Sequence, residues 1–221
     1  MSLKGRDVWG LAGASSGALA VVLSAVGASL GDPYRSGLDP DPTDPSVSIA
    51  QALAEVRDEA RIGVLLSLLG SFLLIWFVAY LRAHLQSYEG QSGWLSSVAY
   101  GGGLVAVALI LVSNSISLAA TEITDYGGET VIARVFLTHG WNYFYVVSPA
   151  VMALVAASSV VALRFKALPR WLAILGLIMI MLPFFVGAGL GAILGLVWIL
   201  LASIVLVVIG YRKPGAESLL S

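Results

Sequence analysis

Glu122, His139, Asn114, Asn142, Tyr143 and Tyr145 are the side chains in this sequence whose types and spacing could do chemistry. A carboxylate beside an imidazole can exchange protons or hold a metal. Amides and phenols can fix a ligand's orientation in an otherwise apolar pocket. Four of the six lie in "LTHGWNYFYVVSP", residues 137 to 149, at the head of a long apolar run. Asn114 and Glu122 lie in "VSNSISLAATEITD", which closes the preceding apolar run. The same residues have a simpler use: Trp141, Tyr143 and Tyr145 read equally as an aromatic belt where a helix enters a membrane, with His139 interfacial and Asn142 crosslinking or capping helices.

Signatures of catalysis are otherwise missing. The chain has no GxSxG, HExxH or Walker-type glycine loop, and no cysteine to supply a thiol nucleophile, an iron–sulfur cluster or a thiolate zinc site. Glu122, Asp125 and Glu129 with His139 form the one conceivable acid–base or metal cluster, and interfacial loop charges account for them as well. Asp39, Asp41 and Asp44 have a calcium-like spacing. Intervening prolines and the lack of a bidentate glutamate separate them from an EF-hand loop, so a solvated acidic loop is the reading. No catalytic residue, metal ligand or cofactor is assigned.

The elements that must position these groups follow from composition. Hydrophobic residues make up 58% and charged residues 11% of the 221 residues, against about 25% charge in a soluble domain. Mean hydropathy is +0.92. This describes an all-α polytopic membrane protein. A net charge of -1, without interleaved basic and aromatic residues, argues against a nucleic-acid partner. About 20 apolar residues cross a hydrocarbon core of about 30 Å. The spans expected on that basis are residues 8 to 30, 62 to 81, 95 to 119, 141 to 163, 169 to 186 and 190 to 211. Together they form one transmembrane helical domain, with a re-entrant pair as the alternative for 169 to 211. Lys4 and Arg6 ahead of an Ala-rich stretch resemble a secretory signal, but the run exceeds a signal core and is expected to be retained.

Charge bias orients the bundle. Lys4, Arg6, Arg82, Arg164, Lys166, Arg170, Arg212 and Lys213 fall on one side, and Arg35, Arg57, Arg61 and Arg134 on the other. The richer side is expected to be cytoplasmic and to carry both termini. Loops 31 to 61 and 120 to 140 are then outside. Asp44 with Pro45 predicts a short outer helix leading into the second span. The two histidines, His84 and His139, fall on opposite sides and cannot share a metal.

No ionisable residue lies in the central part of a span, which disfavours a proton relay. Asn114 is the deepest strongly polar side chain and needs a partner. On a helix it shares a face with Leu118, Glu122 and Asp125, while Asn142, Val146 and Pro149 share a face that could turn toward it. One outward-facing polar layer would result. Gly13 with Gly17, and Gly187, Gly191 and Gly195, have GxxxG spacing, which favours close packing within the chain or self-association.

The stretch "ALPRWLAILGLIMIMLPFF" resembles a pattern in uncharacterised actinobacterial multi-spanning membrane proteins. There, a short basic turn with Leu-Pro-Arg-Trp leads into a Gly-containing helix and a final span. The resemblance covers about the last 80 residues. It implies a bacterial inner (plasma) membrane and no defined activity. The reading is a non-enzymatic binding, accessory or assembly subunit, with membrane lipid and a homo-oligomeric or membrane-protein partner. The alternatives are a channel or facilitator for a small neutral or amphipathic solute, and a membrane enzyme working at the outer interface.

Overall fold

The computed structural model describes residues 3–30, 56–123, 130–187 and 189–211. Every regular element among them is an α-helix: α1 (Leu3–Leu30), α2 (Arg57–Glu89), α3 (Trp94–Ile123), α4 (Thr130–Phe165), α5 (Arg170–Val186) and α6 (Leu190–Tyr211). Five are long and apolar enough to cross a membrane. The exception is α5, whose 17 residues span about 25 Å at 1.5 Å per residue. It is one uninterrupted helix through Pro183.

Small residues set the order of the helices, because helices already in lipid associate through close packing and hydrogen bonds rather than by escaping water. Gly13 and Gly17 of α1 face Tyr80 and Phe77 of α2, so these two helices run antiparallel. Gly191 and Gly195 of α6 face Ser148 and Val151 of α4, so those two run parallel. The Gly13–Gly17 and Gly191–Gly195 motifs therefore pack helices of one chain, whereas a Cβ added at Gly187 would meet nothing within 4 Å, so the Gly187–Gly191 spacing marks no such contact. Contacts run from α1 to α2, α3, α4, α6 and back to α1, closing a ring, with α5 against α4 and α6. The core is built from Phe77, Leu81 and Leu85 of α2, Leu154 and Val161 of α4, Leu172 of α5, and Trp198 and Leu206 of α6.

This alternation brings the start of α1, the α2–α3 turn, the α4–α5 turn and the end of α6 to one end of the bundle, called here the termini end. The opposite end holds the end of α1 and the starts of α2, α4 and α6. At the termini end α3 begins after Gly93, whose φ of 50° lies in the left-handed region that favours glycine. Glycine brings no side chain to cap the helix. Glu89 does so instead, its two carboxylate oxygens each accepting one backbone N–H, from Leu95 and Ser96, both at 2.9 Å. Glu89→Ala is expected to cost about 1–2 kcal/mol, as for loss of a strong N-cap. Glu89→Gln, which keeps one acceptor, should lose about half as much in a denaturant titration. Equal midpoints for all three proteins would show that the cap contributes nothing.

The structure corrects the expected outer loop 120 to 140. Residues 120–123 continue α3, and α4 starts at Thr130, well before the apolar run at 141. Hydropathy marks the thickness of the hydrocarbon, whereas a helix continues for as long as its backbone can hydrogen-bond. The segment "TVIARVFL" contains no breaker to stop it. For the same reason α2 extends past its expected end at 81 to Glu89. The expected short outer helix after Asp44, and the Asp39, Asp41 and Asp44 loop, lie outside the described residues.

Candidate functional site

The face of α3 that carries Asn114 and Glu122 turns toward α2. Asn114 Nδ2 donates to Ser67 Oγ at 3.0 Å, joining the halves of α2 and α3 away from the termini end. Toward the same end, Arg61 of α2 donates to Glu122 Oε1 at 2.7 Å. Both partners of that pair are substantially solvent-accessible, at 36% and 48% of the side chain, so it is worth about 0–1 kcal/mol. Together these contacts form a polar seam between two neighbouring helices. Ser67 was not distinguishable in the sequence from any other small residue in a span.

The residues on α4 divide differently. Asn142 is exposed and makes no hydrogen bond with Asn114 or Glu122 among the described residues. Tyr145 is exposed, with its ring near Gly189 at the start of α6. Tyr143 is half-buried, packed edge-on to Phe144 with ring centroids 5.4 Å apart. His139 lies on α4, and its side chain, like that of Trp141, is outside the described residues; so are Asp125 and Glu129. The six predicted residues are thus split between an α2–α3 seam and one end of α4.

Tyr143 and Phe144 line a small internal cavity between α2, α3, α4 and α6, whose wall includes Val78, Ile110, Leu154 and Ile199. Its volume, about 30 Å³, suits one or two water molecules, yet an apolar wall offers water few partners. Some buried polar groups elsewhere in the bundle bond to neighbouring helices, whereas the buried Ser158 and Ser159 hydroxyls of α4 have no hydrogen-bond partner among the described residues. Ser203 of α6 accepts the Ala18 N–H at 2.9 Å and donates to the Ala14 carbonyl of α1. Ser148 Oγ of α4 accepts the Ala192 N–H of α6 at 2.9 Å.

The termini end carries a second group of residues that the sequence reading did not assemble. His84 Nε2 lies 2.9 Å from the Ala167 carbonyl; a carbonyl oxygen only accepts, so Nε2 carries the proton and donates it. This bond ties α2 to the α4–α5 turn. Beside it is an open cleft of about 440 Å³ lined by Tyr88, Lys166, Leu168, Pro169, Arg170 and Ile209. Trp9, Trp94, Trp171 and Tyr211 are exposed around the same end. An aromatic girdle therefore rings the termini end, whereas the expected belt at 141 to 145 contributes Tyr145 alone among the described exposed aromatics. Each of these rings lies near a helix end and carries a polar atom, a signal the sequence does contain.

Long apolar helices with small residues between them, several helix–helix hydrogen bonds and aromatic rings at the ends define a multi-pass helical membrane protein. Comparison with protein-family models, curated proteins and solved structures finds no match. Among the described residues, no group of three His, Asp or Glu side chains is arranged to hold a metal ion.

The Asn114–Ser67 bond is open to direct measurement. Interhelical bonds of this kind contribute about 0.6–2 kcal/mol in membranes, so Asn114→Leu should lower stability by that amount. A double-mutant cycle with Ser67→Ala should recover it as coupling energy. Strictly additive single effects would show that the two side chains do not act together.

Proposed function

We propose that this chain is a non-enzymatic subunit of a membrane assembly, binding a partner helix within the bilayer. One observation carries the reading: Ile62, Leu65, Leu69, Phe72 and Trp76 are all exposed on α2. Their alternating three- and four-residue spacing is that of a coiled-coil seam, and exposed Ala79 and Ala83 continue it. The helix has 33 residues, about 50 Å at 1.5 Å per residue, which exceeds the hydrocarbon thickness and lets a partner pair with it beyond the bilayer as well. Ser67, Asn114, Ser148 and Ser203 are engaged in holding the chain's own helices together, which supports a scaffold in preference to a solute path. The basic excess on the termini side supports a cytoplasmic location for both termini. The resemblance of the last third to actinobacterial multi-spanning proteins supports a bacterial inner membrane.

The natural absence of cysteine makes the test direct. Leu69→Cys in native membranes should form an oxidative or bifunctional crosslink to a second copy or to another membrane protein. Ile174→Cys, equally exposed but on α5, should not. Crosslinking at neither position, or equally at both, would sink the assembly role.

A further inference from the structure

We propose that the cleft at the termini end holds the phosphate of an anionic phospholipid from the adjoining leaflet. Lys166 and Arg170 supply two cations, and Tyr88 supplies a phenolic hydroxyl that can donate to a phosphate oxygen. Leu168 and Ile209 give the same cleft an apolar wall. No acidic side chain is among the described residues lining it. This combination fits an anion carrying a hydrocarbon chain better than a free anion, which has no use for the wall.

Two further observations set the depth and the shape of the site. Trp171, adjacent to Arg170, and Tyr211, beyond Ile209, are both exposed, and such rings settle at the headgroup level of a bilayer. The cleft is therefore where phosphates lie. Its floor is already ordered, because Ala167 and Leu168 are each 3% exposed and the Ala167 carbonyl is held by His84.

Lys166 adds an independent argument. Its φ of 59° makes it the non-glycine residue with positive φ among the described residues. It follows the last residue of α4, where glycine or asparagine is the ordinary choice because a Cβ is disfavoured in the left-handed conformation. A lysine there is conformationally costly, and a headgroup ligand gives its ammonium a use. The two explanations separate experimentally: glycine at this position relaxes the backbone and removes the charge.

The test uses the full chain in detergent, titrated with phosphatidylglycerol and, for comparison, phosphatidylcholine, with bound lipid read by native mass spectrometry. A basic residue near an anionic headgroup contributes about 5-fold in affinity, so Lys166→Gly with Arg170→Gln should weaken phosphatidylglycerol binding about 30-fold. Lys166→Gly alone should keep or raise the thermal midpoint while still losing affinity, and Arg170→Gln alone gives a second reading should the pair fold poorly. Arg164→Gln, at the same end but with its guanidinium over the Phe165 ring at 5.4 Å, should bind as the parent does. An equal loss for Arg164→Gln would reduce the effect to diffuse surface charge and overturn the site. Unchanged binding by the double variant, or equal binding of phosphatidylcholine, would overturn it too. Displacement by millimolar inorganic phosphate would overturn the lipid as its ligand. None of these outcomes depends on a protein partner, so the proposal stands or falls separately from the assembly role.

Discussion

Trp198→Ala is expected to lower the stability of the bundle by about 3–5 kcal/mol, the range for deleting a fully buried aromatic side chain. Trp198 of α6 has no exposed surface, and its Nε1–H donates to the Leu172 carbonyl of α5 at 3.2 Å. Gly176 of α5 lies against the same indole nitrogen and against Ser159 of α4, with no room for a Cβ. The indole thus sits where α4, α5 and α6 meet. In lipid the transfer term is small, since the acyl chains are as apolar as the core, so the loss falls on packing contacts and on the hydrogen bond. That places the expected value toward the lower end of the range. Trp198→Phe, which keeps most of the volume and loses the N–H, should cost about 1 kcal/mol, the ordinary worth of one hydrogen bond. Unfolding of purified protein in mixed micelles of increasing SDS content measures both. An alanine variant as stable as the phenylalanine variant would mean that Trp198 does not bind α5 to the bundle.

The second large effect concerns two adjacent glycines with opposite expected outcomes. A Cβ added at Gly102 of α3 would sit 2.7 Å from the Ala150 carbonyl oxygen and 2.8 Å from the Leu154 nitrogen, both backbone atoms of α4. Neither can swing aside as a side chain would, so the helices must separate. Gly102→Leu should therefore cost about 3 kcal/mol or more, the upper end for overpacking, and it should disturb the small cavity beside Val78 and Leu154. At Gly101 an added Cβ meets nothing within 4 Å. Gly101→Ala should be neutral or gain up to about 1 kcal/mol, because alanine is the better helix former. The same micelle titration decides: comparable midpoints for Gly101→Ala and Gly102→Leu would show that α3 and α4 do not approach as closely as this.

The sequence by itself determined the membrane class, the all-helical fold and the approximate position of the apolar helices. Each of these depends on local composition: a run of apolar residues about as long as the hydrocarbon is thick must hydrogen-bond internally, and a helix does so within one segment. It also marked the glycines at 13, 17, 187, 191 and 195 as points of close packing, since a small residue repeated every four positions is visible in one dimension, and all of them but Gly187 are such points. It could not show which helix each of them meets. Helix ends escaped it for a related reason: hydropathy reports the solvent around a segment, and α2 and α4 continue as helices beyond the apolar run. Partners were decided only by the tertiary structure. Asn114 needed a bond, and any helix could have supplied it; the rotation of α3 against α2 gave it Ser67, and gave Glu122 Arg61, while Asn142 stayed on the exposed surface of α4. Lys166, Arg170 and Tyr88 line one cleft because the α4–α5 turn packs against the end of α2, where His84 bonds to the Ala167 carbonyl. Each is an ordinary interfacial residue in the sequence, and the cleft exists only in the arrangement of the helices.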